Sequence, residues 1–183
     1  MTAVPNMESV EMIQPDWWTF EALRALKARY FRCLDSRDWS GLKAVFAENA
    51  VFDMRDETGA LRAAGYDLPD DAGLVSGSDA IVESMARGLK GVISVHQGHM
   101  PEFKMISKDE AVGTWSMEDI LRMPATSPIA EIRGYGRYHE RYSHSENEWR
   151  IVHLNFTRTL RYVEARDGYV SIYAALDNGS DAV

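Results

Sequence analysis

Two charged residues interrupt apolar rows in segments that alternate like β-strands. Arg158 shares a face of residues 148–163 with apolar side chains, and Asp119 does the same in residues 110–123. Because an unpaired buried charge is very costly, an inward arginine must reach solvent along its stem or meet an anion. An inward aspartate is its natural partner. The pattern predicts either an ion pair that ties two strands together or a site for acid–base chemistry.

A histidine is the next candidate for chemistry. His96 and His99 stand three residues apart, so on a regular strand they point to opposite faces and cannot easily share a metal ion. His96 is predicted to face a cavity, where an imidazole could move protons near neutral pH. An ordinary structural histidine is the alternative.

Two further candidates lie on the first predicted helix. Tyr30 falls on its apolar stripe and Asp35 at its end, where a core tyrosine and a cap or turn aspartate are the plainer interpretations. Cys33 is the only cysteine and is interpreted as a small buried hydrophobe. The sequence contains no P-loop, dinucleotide fingerprint, nucleophile elbow or H-E-x-x-H motif. These absences leave acid–base groups as the main candidates.

These residues need a scaffold that brings distant segments together. Apolar spacings of three and four predict helices, and period-two alternation predicts strands. The predicted helices cover residues 17–34, 39–46 and 78–89, with a cap at Ser78-Asp79, and the predicted strands cover 51–55, 92–106, 110–123, 130–144 and 148–163. Residues 57–77 are predicted to form a long loop. Residues 169–176 are predicted to add a strand edge or to reach a neighbouring subunit.

The same alternation assigns side chains to the inside of the sheet. One inner row is Val152, Leu154, Phe156, Arg158 and Leu160, and another is Trp115, Met117, Asp119 and Leu121. Strands this long twist strongly, so the sheet is expected to curl around the helices like a cone, with Gly134-Tyr135-Gly136 at a bend. The apolar rows predict a pocket for a large hydrophobic substrate, either sterol-like or a multi-ring aromatic alcohol.

Composition limits the class of protein. The 183 residues carry 20 Lys and Arg against 28 Asp and Glu, a net charge of −8, so nucleic acid is not an expected partner. The apolar stretches are shorter than the roughly 20 residues of a membrane-spanning helix. The first residues lack a secretory pattern, so a cytoplasmic location is the default. One domain is expected over residues 15–165, with a flexible segment 1–14 and an extension 166–183.

The order of several motifs resembles a known family. The motifs are residues 26–35 followed by Asp38-Trp39, residues 94–102, residues 113–119 and residues 149–158. Together they resemble the SnoaL-like branch of the nuclear transport factor 2-like superfamily, and within it the bile acid 7-alpha-dehydratases, over residues 16–163. The resemblance implies a cone-shaped α+β barrel, in which a curved antiparallel sheet wraps around N-terminal helices, and it favours a homotrimer.

The resemblance also implies a set of site residues. Carried over one by one, the catalytic positions are Tyr30, Asp35, His96, Asp119 and Arg158. The substrate-binding residues expected with them are Met54, Trp115, Met117, Leu154 and Phe156. Met54 stands where the dehydratases have a cavity-lining tyrosine, and the insertion at residues 57–77 is longer here.

The expected activity is loss of water from a hydrophobic alcohol, with no metal or cofactor. His96 or Tyr30 would be the base, Asp35 or Asp119 would orient the imidazole, and Tyr30 would donate to the departing hydroxyl or the developing oxyanion. One alternative is a cofactor-free carbon–carbon lyase that releases formaldehyde from a lignin-derived diol. An isomerase and an epoxide hydrolase are further alternatives on this fold. A non-catalytic small subunit of a ring-hydroxylating dioxygenase is a fourth possibility, from a different class.

Overall fold

Helices precede a long sheet in the computed structural model, which describes residues 14–63, 69, 72–168 and 170–174. The helices are α1 (Trp17–Ser36), α2 (Trp39–Val45), α3 (Arg55–Ala63) and α4 (Ser78–Gly88). The strands are β1 (Phe46–Asp53), β2 (Leu74–Ser76), β3 (Ile93–Ser107), β4 (Glu110–Arg122), β5 (Ile129–Ser145), β6 (Glu148–Ala165) and β7 (Val170–Ala174). The predicted flexible segment 1–14 lies almost entirely outside the described residues.

The first helix forms where its apolar spacing predicts it. Asp16 caps its start by accepting a hydrogen bond from the backbone N–H of Thr19 at 2.7 Å. Leu23, Leu26 and Tyr30 are buried on one stripe against the sheet. Burial of this stripe fixes which face of α1 packs on the sheet, and the last turn of the helix then lies beside β3.

The sheet has the strand order β2-β1-β6-β5-β4-β3, and β7 adds to β6. β1 runs parallel to β6, and every other described pairing is antiparallel. The sheet curves around α1 without closing, because β2 and β3 remain at its edges. The expected mixed α+β cone is confirmed. Part of the extension at 166–183 is the predicted strand edge, observed as β7.

The segment predicted as a loop at residues 57–77 is not all loop. It contributes most of α3 and all of β2, which pairs with β1. Helix α3 is short and polar, so its stability comes from tertiary contacts that local periodicity does not reveal. Two boundaries also differ from the prediction. β1 begins at Phe46, and the N-cap of α4 is Gly77, which provides no capping side chain.

Two bulges in β6 change the predicted inner row. Tyr142 pairs with Ile151 and Arg141 with His153, so Val152 is the extra residue and Ile151 takes the buried position instead. Further along, Gly136 pairs with Arg158 and Tyr135 with Leu160, so Thr159 is extra. The prediction for Val152 and Leu160 is therefore wrong. The second bulge brings Arg161, in place of Leu160, to the same side as Arg158.

A buried ion pair lies between α1 and the sheet. Lys27 and Glu140 are both fully buried and contact each other, and Glu140 also accepts a hydrogen bond from the Tyr142 hydroxyl. The Lys27 ammonium lies 3.7 Å from the ring centroid of Tyr138. Burial lowers the pKa of Lys27 by more than the contact with Glu140 raises it. Nothing in the periodicity of the sequence predicted this pair.

No helix in the described ranges is both long and apolar enough to cross a membrane. This finding agrees with the absence of long apolar runs from the sequence.

Candidate active site

A cavity of about 210 Å³ opens between α1, α4 and the inner face of the sheet. Most of its wall is apolar and includes Phe52, Met54, Met117 and Phe156. Four polar side chains interrupt this wall: His96, Asp119, Tyr138 and Arg158. A small number of convergent polar groups in an apolar cavity is the usual form of a ligand site.

His96 is held by an aspartate from the last turn of α1. Its Nδ1 lies 2.6 Å from Asp35 Oδ1, and its backbone N–H donates to Asp35 Oδ2 at 2.8 Å. Ser94 also donates to Oδ1 of Asp35, at 2.8 Å, and in turn accepts from the Arg37 guanidinium at 2.9 Å. Because Nδ1 is engaged, Nε2 is the ring nitrogen left for a ligand in the cavity.

Asp35 is not a helix cap, because its carboxylate contacts Ser94 and His96 of β3. A carboxylate in the last turn of a helix is disfavoured by the helix dipole, and the N-cap of α2 is supplied by Asp38 instead. Burial raises the pKa of Asp35, but the hydrogen bonds from His96 and Ser94 outweigh it and hold that pKa below its ordinary value. Asp35 is therefore a carboxylate that fixes and polarises the imidazole.

The predicted aspartate–arginine pair forms across the sheet. Arg158 Nη2 contacts Asp119 Oδ2, and Nη1 lies 3.1 Å from Glu57 Oε2. Burial lowers the pKa of Arg158, but the two carboxylates outweigh it and raise the pKa above its ordinary value. Asp119 is also the direct pairing partner of His96 between β3 and β4, which places both side chains on the inner face.

Two tyrosines lie at or behind the cavity wall. Tyr138 lines it, and Tyr30 packs behind with its ring centroid 6.4 Å from that of Tyr138. Burial is the main cause that raises the pKa of both hydroxyls well above the ordinary value, and the carboxylates of Asp119 and Glu140 add to it. They therefore stay protonated at neutral pH and can act as hydrogen-bond donors.

The structure sorts the predicted site residues into three groups. His96, Asp119, Arg158, Met54, Met117 and Phe156 line the cavity, while Asp35 and Tyr30 form the layer behind it. The remaining two, Trp115 and Leu154, lie in the core away from this wall. Trp115 donates its indole N–H to the Tyr142 hydroxyl at 2.9 Å, and Leu154 is fully buried.

Sequence reasoning missed several residues of the site. Glu57 and Arg161 were hidden by the unrecognised helix α3 and by the bulge at Thr159, and neither has a local signal. Tyr138 had a detectable signal, because strict alternation along β5 places it on the same face as Glu140 and Tyr142. Within the described residues, no group of three His, Cys, Asp or Glu side chains is arranged to hold a metal ion.

Comparison with known proteins shows the family of this chain. The sequence profile of the SnoaL-like domain matches residues 18–155, well over half of the chain. The chain belongs to the SnoaL-like family. Members of this family share the cone-shaped fold of the nuclear transport factor 2-like superfamily.

Solved structures share the fold at low sequence identity. A protein of Novosphingobium aromaticivorans, provisionally named a scytalone dehydratase, is 18% identical with a TM-score of 0.65, covering 88% of this chain and 93% of that one. A provisionally named aromatic ring hydroxylase of the same organism is 16% identical with a TM-score of 0.65, covering 91% and 100%. Hexachlorocyclohexane dehydrochlorinase LinA-type3 of Novosphingobium barchaimii is 13% identical with a TM-score of 0.63, covering 87% and 92%.

Gly134 makes room for the aspartate–arginine pair. A Cβ at this position would overlap both Asp119 Oδ1 and Arg158 Nε. We expect Gly134→Ala to lower the free energy of unfolding by roughly 1–3 kcal/mol, the usual cost of overpacking. Urea unfolding measures the change. Gly59→Ala is the control, because its Cβ meets nothing within 4 Å in α3 and should be neutral or slightly stabilising. Equal stability of the wild type and Gly134→Ala would contradict the tight fit.

The lowered pKa of Asp35 predicts an acid-sensitive contribution to stability. A carboxylate whose pKa is lower in the folded protein stabilises the fold above its unfolded value, near 3.8, and loses that contribution as pH falls through the folded value. We expect Asp35→Asn to show a smaller drop in the free energy of unfolding between pH 5 and pH 3 than the wild type. Asp79→Asn, at an 84% exposed side chain, is the control and should keep the wild-type drop. Identical pH dependence in Asp35→Asn would refute the assignment.

Proposed function

We propose that this protein is a cofactor-independent lyase that removes water from a neutral, hydrophobic ring alcohol by acid–base elimination. The observation that carries the proposal is the His96–Asp35 pair, which presents one imidazole nitrogen to an apolar cavity. A general base held in one orientation by a carboxylate is suited to taking a proton from carbon. The chain itself supplies the groups this chemistry needs.

The elimination begins with transfer of a proton to His96. Nε2 takes the proton from a carbon next to a carbonyl or a conjugated system, and the electron pair moves onto the carbonyl oxygen. Asp35 stabilises the imidazolium, because its Oδ1 lies 2.6 Å from Nδ1 of His96. A positioned base of this kind contributes roughly 100- to 10,000-fold to the rate.

The second step expels the hydroxyl group. The electron pair returns to form the carbon–carbon double bond, the carbon–oxygen bond breaks, and the imidazolium of His96 passes its proton to the departing hydroxyl, which leaves as water. Tyr138 donates a hydrogen bond to the oxygen that carries the transient negative charge, a role that suits a hydroxyl whose raised pKa keeps it protonated. Arg158 lies in the same wall, but Asp119 and Glu57 balance its charge, so Tyr138 is the main donor to this oxygen.

The comparisons support an elimination without identifying the substrate. Two of the structural relatives carry names that denote eliminations, a dehydratase and a dehydrochlorinase. The motifs that carry the resemblance to the SnoaL-like branch include those that contain His96, Asp119 and Arg158. Because fold alone does not determine function, the arrangement of these side chains carries more of the argument than the fold.

Cavity size narrows the substrate class. A dry apolar cavity of about 150 Å³ accommodates benzene, and drug-sized ligands occupy about 300–1,000 Å³. The observed volume of about 210 Å³ favours a substrate with one substituted ring or two small rings. A four-ring sterol, one of the two substrate types suggested by the sequence, would have to extend outside the cavity.

A screen without added cofactor tests the proposal. One-ring and two-ring β-hydroxy ketones are incubated with the protein, and absorbance reports formation of the conjugated product. Formaldehyde is assayed in parallel with aromatic propanediols, because the same base could also start a carbon–carbon cleavage. Product that forms with the wild type and not with His96→Gln supports the proposal. Turnover that is equal in both proteins would refute it, and formaldehyde release would favour the alternative lyase.

A further inference from the structure

Arg158 is a cation at the cavity wall, and two carboxylates pair with it. One nitrogen of its guanidinium contacts Asp119 and another contacts Glu57. Asp119 lies on β4 inside the sheet and its side chain is 3% exposed, so its contact with Arg158 belongs to the core. Glu57 contacts the same guanidinium from helix α3, which is not part of the sheet.

Glu57 is anchored at a defined position. Its Oε1 contacts Arg161, which the bulge at Thr159 turns to the same side as Arg158, and its side chain is only 16% exposed. The neighbouring Asp56 accepts a hydrogen bond from the Asn155 amide at 3.2 Å, which ties the first turn of α3 to β6. The carboxylate of Glu57 is therefore held against Nη1 of Arg158, while Asp119 contacts Nη2.

We propose that Glu57 is a specificity-determining residue. By occupying the second side of the Arg158 guanidinium it prevents that group from binding a ligand carboxylate, so the cavity accepts neutral ring alcohols and rejects ring carboxylates of the same size. The inference takes the cavity as the substrate site, as proposed above, but it is tested by binding alone and does not depend on finding turnover.

The physical reason is the number of charges near the ligand. Two carboxylates already surround Arg158, and Asp35 adds a further negative charge behind His96. An anionic ligand would meet repulsion at short range in a partly buried site, where screening by water is weak. Glu57→Gln removes one negative charge beside Nη1 while keeping the shape of the side chain, so a ligand carboxylate meets less repulsion at Arg158.

The experiment compares benzyl alcohol with benzoate, two one-ring probes of similar size, by calorimetric titration. The wild type should bind benzyl alcohol at least tenfold more tightly than benzoate. Glu57→Gln should raise benzoate affinity by roughly tenfold or more, because one like charge at short range is removed, and leave benzyl alcohol affinity unchanged. Asp56→Asn removes a charge from the same helical turn without contacting Arg158, so it should bind both probes as the wild type does.

Several outcomes would overturn the proposal. Wild-type protein that binds benzoate as tightly as benzyl alcohol, or that binds no benzyl alcohol, contradicts it even if Glu57→Gln fails to fold. A folded Glu57→Gln variant with unchanged benzoate affinity contradicts it as well. An equal gain of benzoate affinity in Asp56→Asn would also contradict it, because it would show that removing any negative charge from α3 has the same effect. Failure of the lyase proposal leaves all these binding results interpretable, because none of them requires turnover.

Discussion

Replacing Lys27 by methionine should lower the free energy of unfolding by roughly 3–5 kcal/mol, the usual cost of breaking a buried ion pair by removing one partner. The substitution keeps the apolar stem, but it leaves the Glu140 carboxylate buried without a cation and removes the ammonium from three aromatic rings. Urea unfolding at neutral pH measures the loss. Lys43→Met is the matched control, because Lys43 forms an exposed pair with Asp79 and should cost less than about 1 kcal/mol.

A double variant separates the charge effect from lost packing. In Lys27→Met/Glu140→Gln the buried charge is gone, while the amide oxygen still accepts the hydrogen bond from Tyr142. We expect this protein to recover most of the stability that Lys27→Met loses. If the double variant is no more stable than the single one, the cost lies in packing of the lysine stem, and the ion-pair explanation is refuted.

Substituting His96 by glutamine should reduce turnover of the substrate found in the screen by roughly 100- to 10,000-fold, the contribution of a general base. Glutamine fills similar space and keeps a hydrogen bond to Asp35, but it cannot accept a proton from carbon. The measurement is kcat, with ligand affinity determined separately. A lower kcat with unchanged affinity is expected, because the imidazole acts mainly in the transition state.

The matched control for His96→Gln is His99→Gln. His99 lies on the same strand but on the opposite face, where its half-exposed side chain is 3.8 Å from Glu118. We expect it to keep wild-type turnover. A comparable loss of activity in both variants would indicate a general effect on β3, and full activity in His96→Gln would eliminate His96 as the base.

Much of the site could be predicted from the sequence, because alternate residues of a strand lie on the same face of the sheet. Period two placed Asp119 beside Met117 on one inner row, and it separated His96 from His99. The resemblance to the SnoaL-like branch then joined these rows to Tyr30 and Asp35 on α1. Both signals lie either in residues near one another in sequence or in the order of motifs along the chain.

The predicted inner row was wrong where a β-bulge interrupts the pairing of β5 and β6. Several contacts between elements that are distant in sequence were missed. The bulge at Val152 moved Ile151 inward, and the bulge at Thr159 exchanged Leu160 for Arg161. An extra residue in a strand reverses the side chains that follow it. Gly134-Tyr135-Gly136 indicated a bend opposite Thr159, but local periodicity does not reveal which residue of β6 is extra. Helix α3 was missed for a related reason, because its stability depends on contacts with β6.

The amino-acid sequence by itself determined the order of helices and long strands, the inward direction of His96, Asp119 and Arg158, and the apolar character of their surroundings, because these follow from periodicity along a single segment. Only the tertiary structure decided that Asp35 holds His96, that Glu57 meets Arg158, and that Lys27 is buried against Glu140. Each of these contacts joins separate elements, and its geometry depends on how the sheet curves around α1, which local periodicity does not encode.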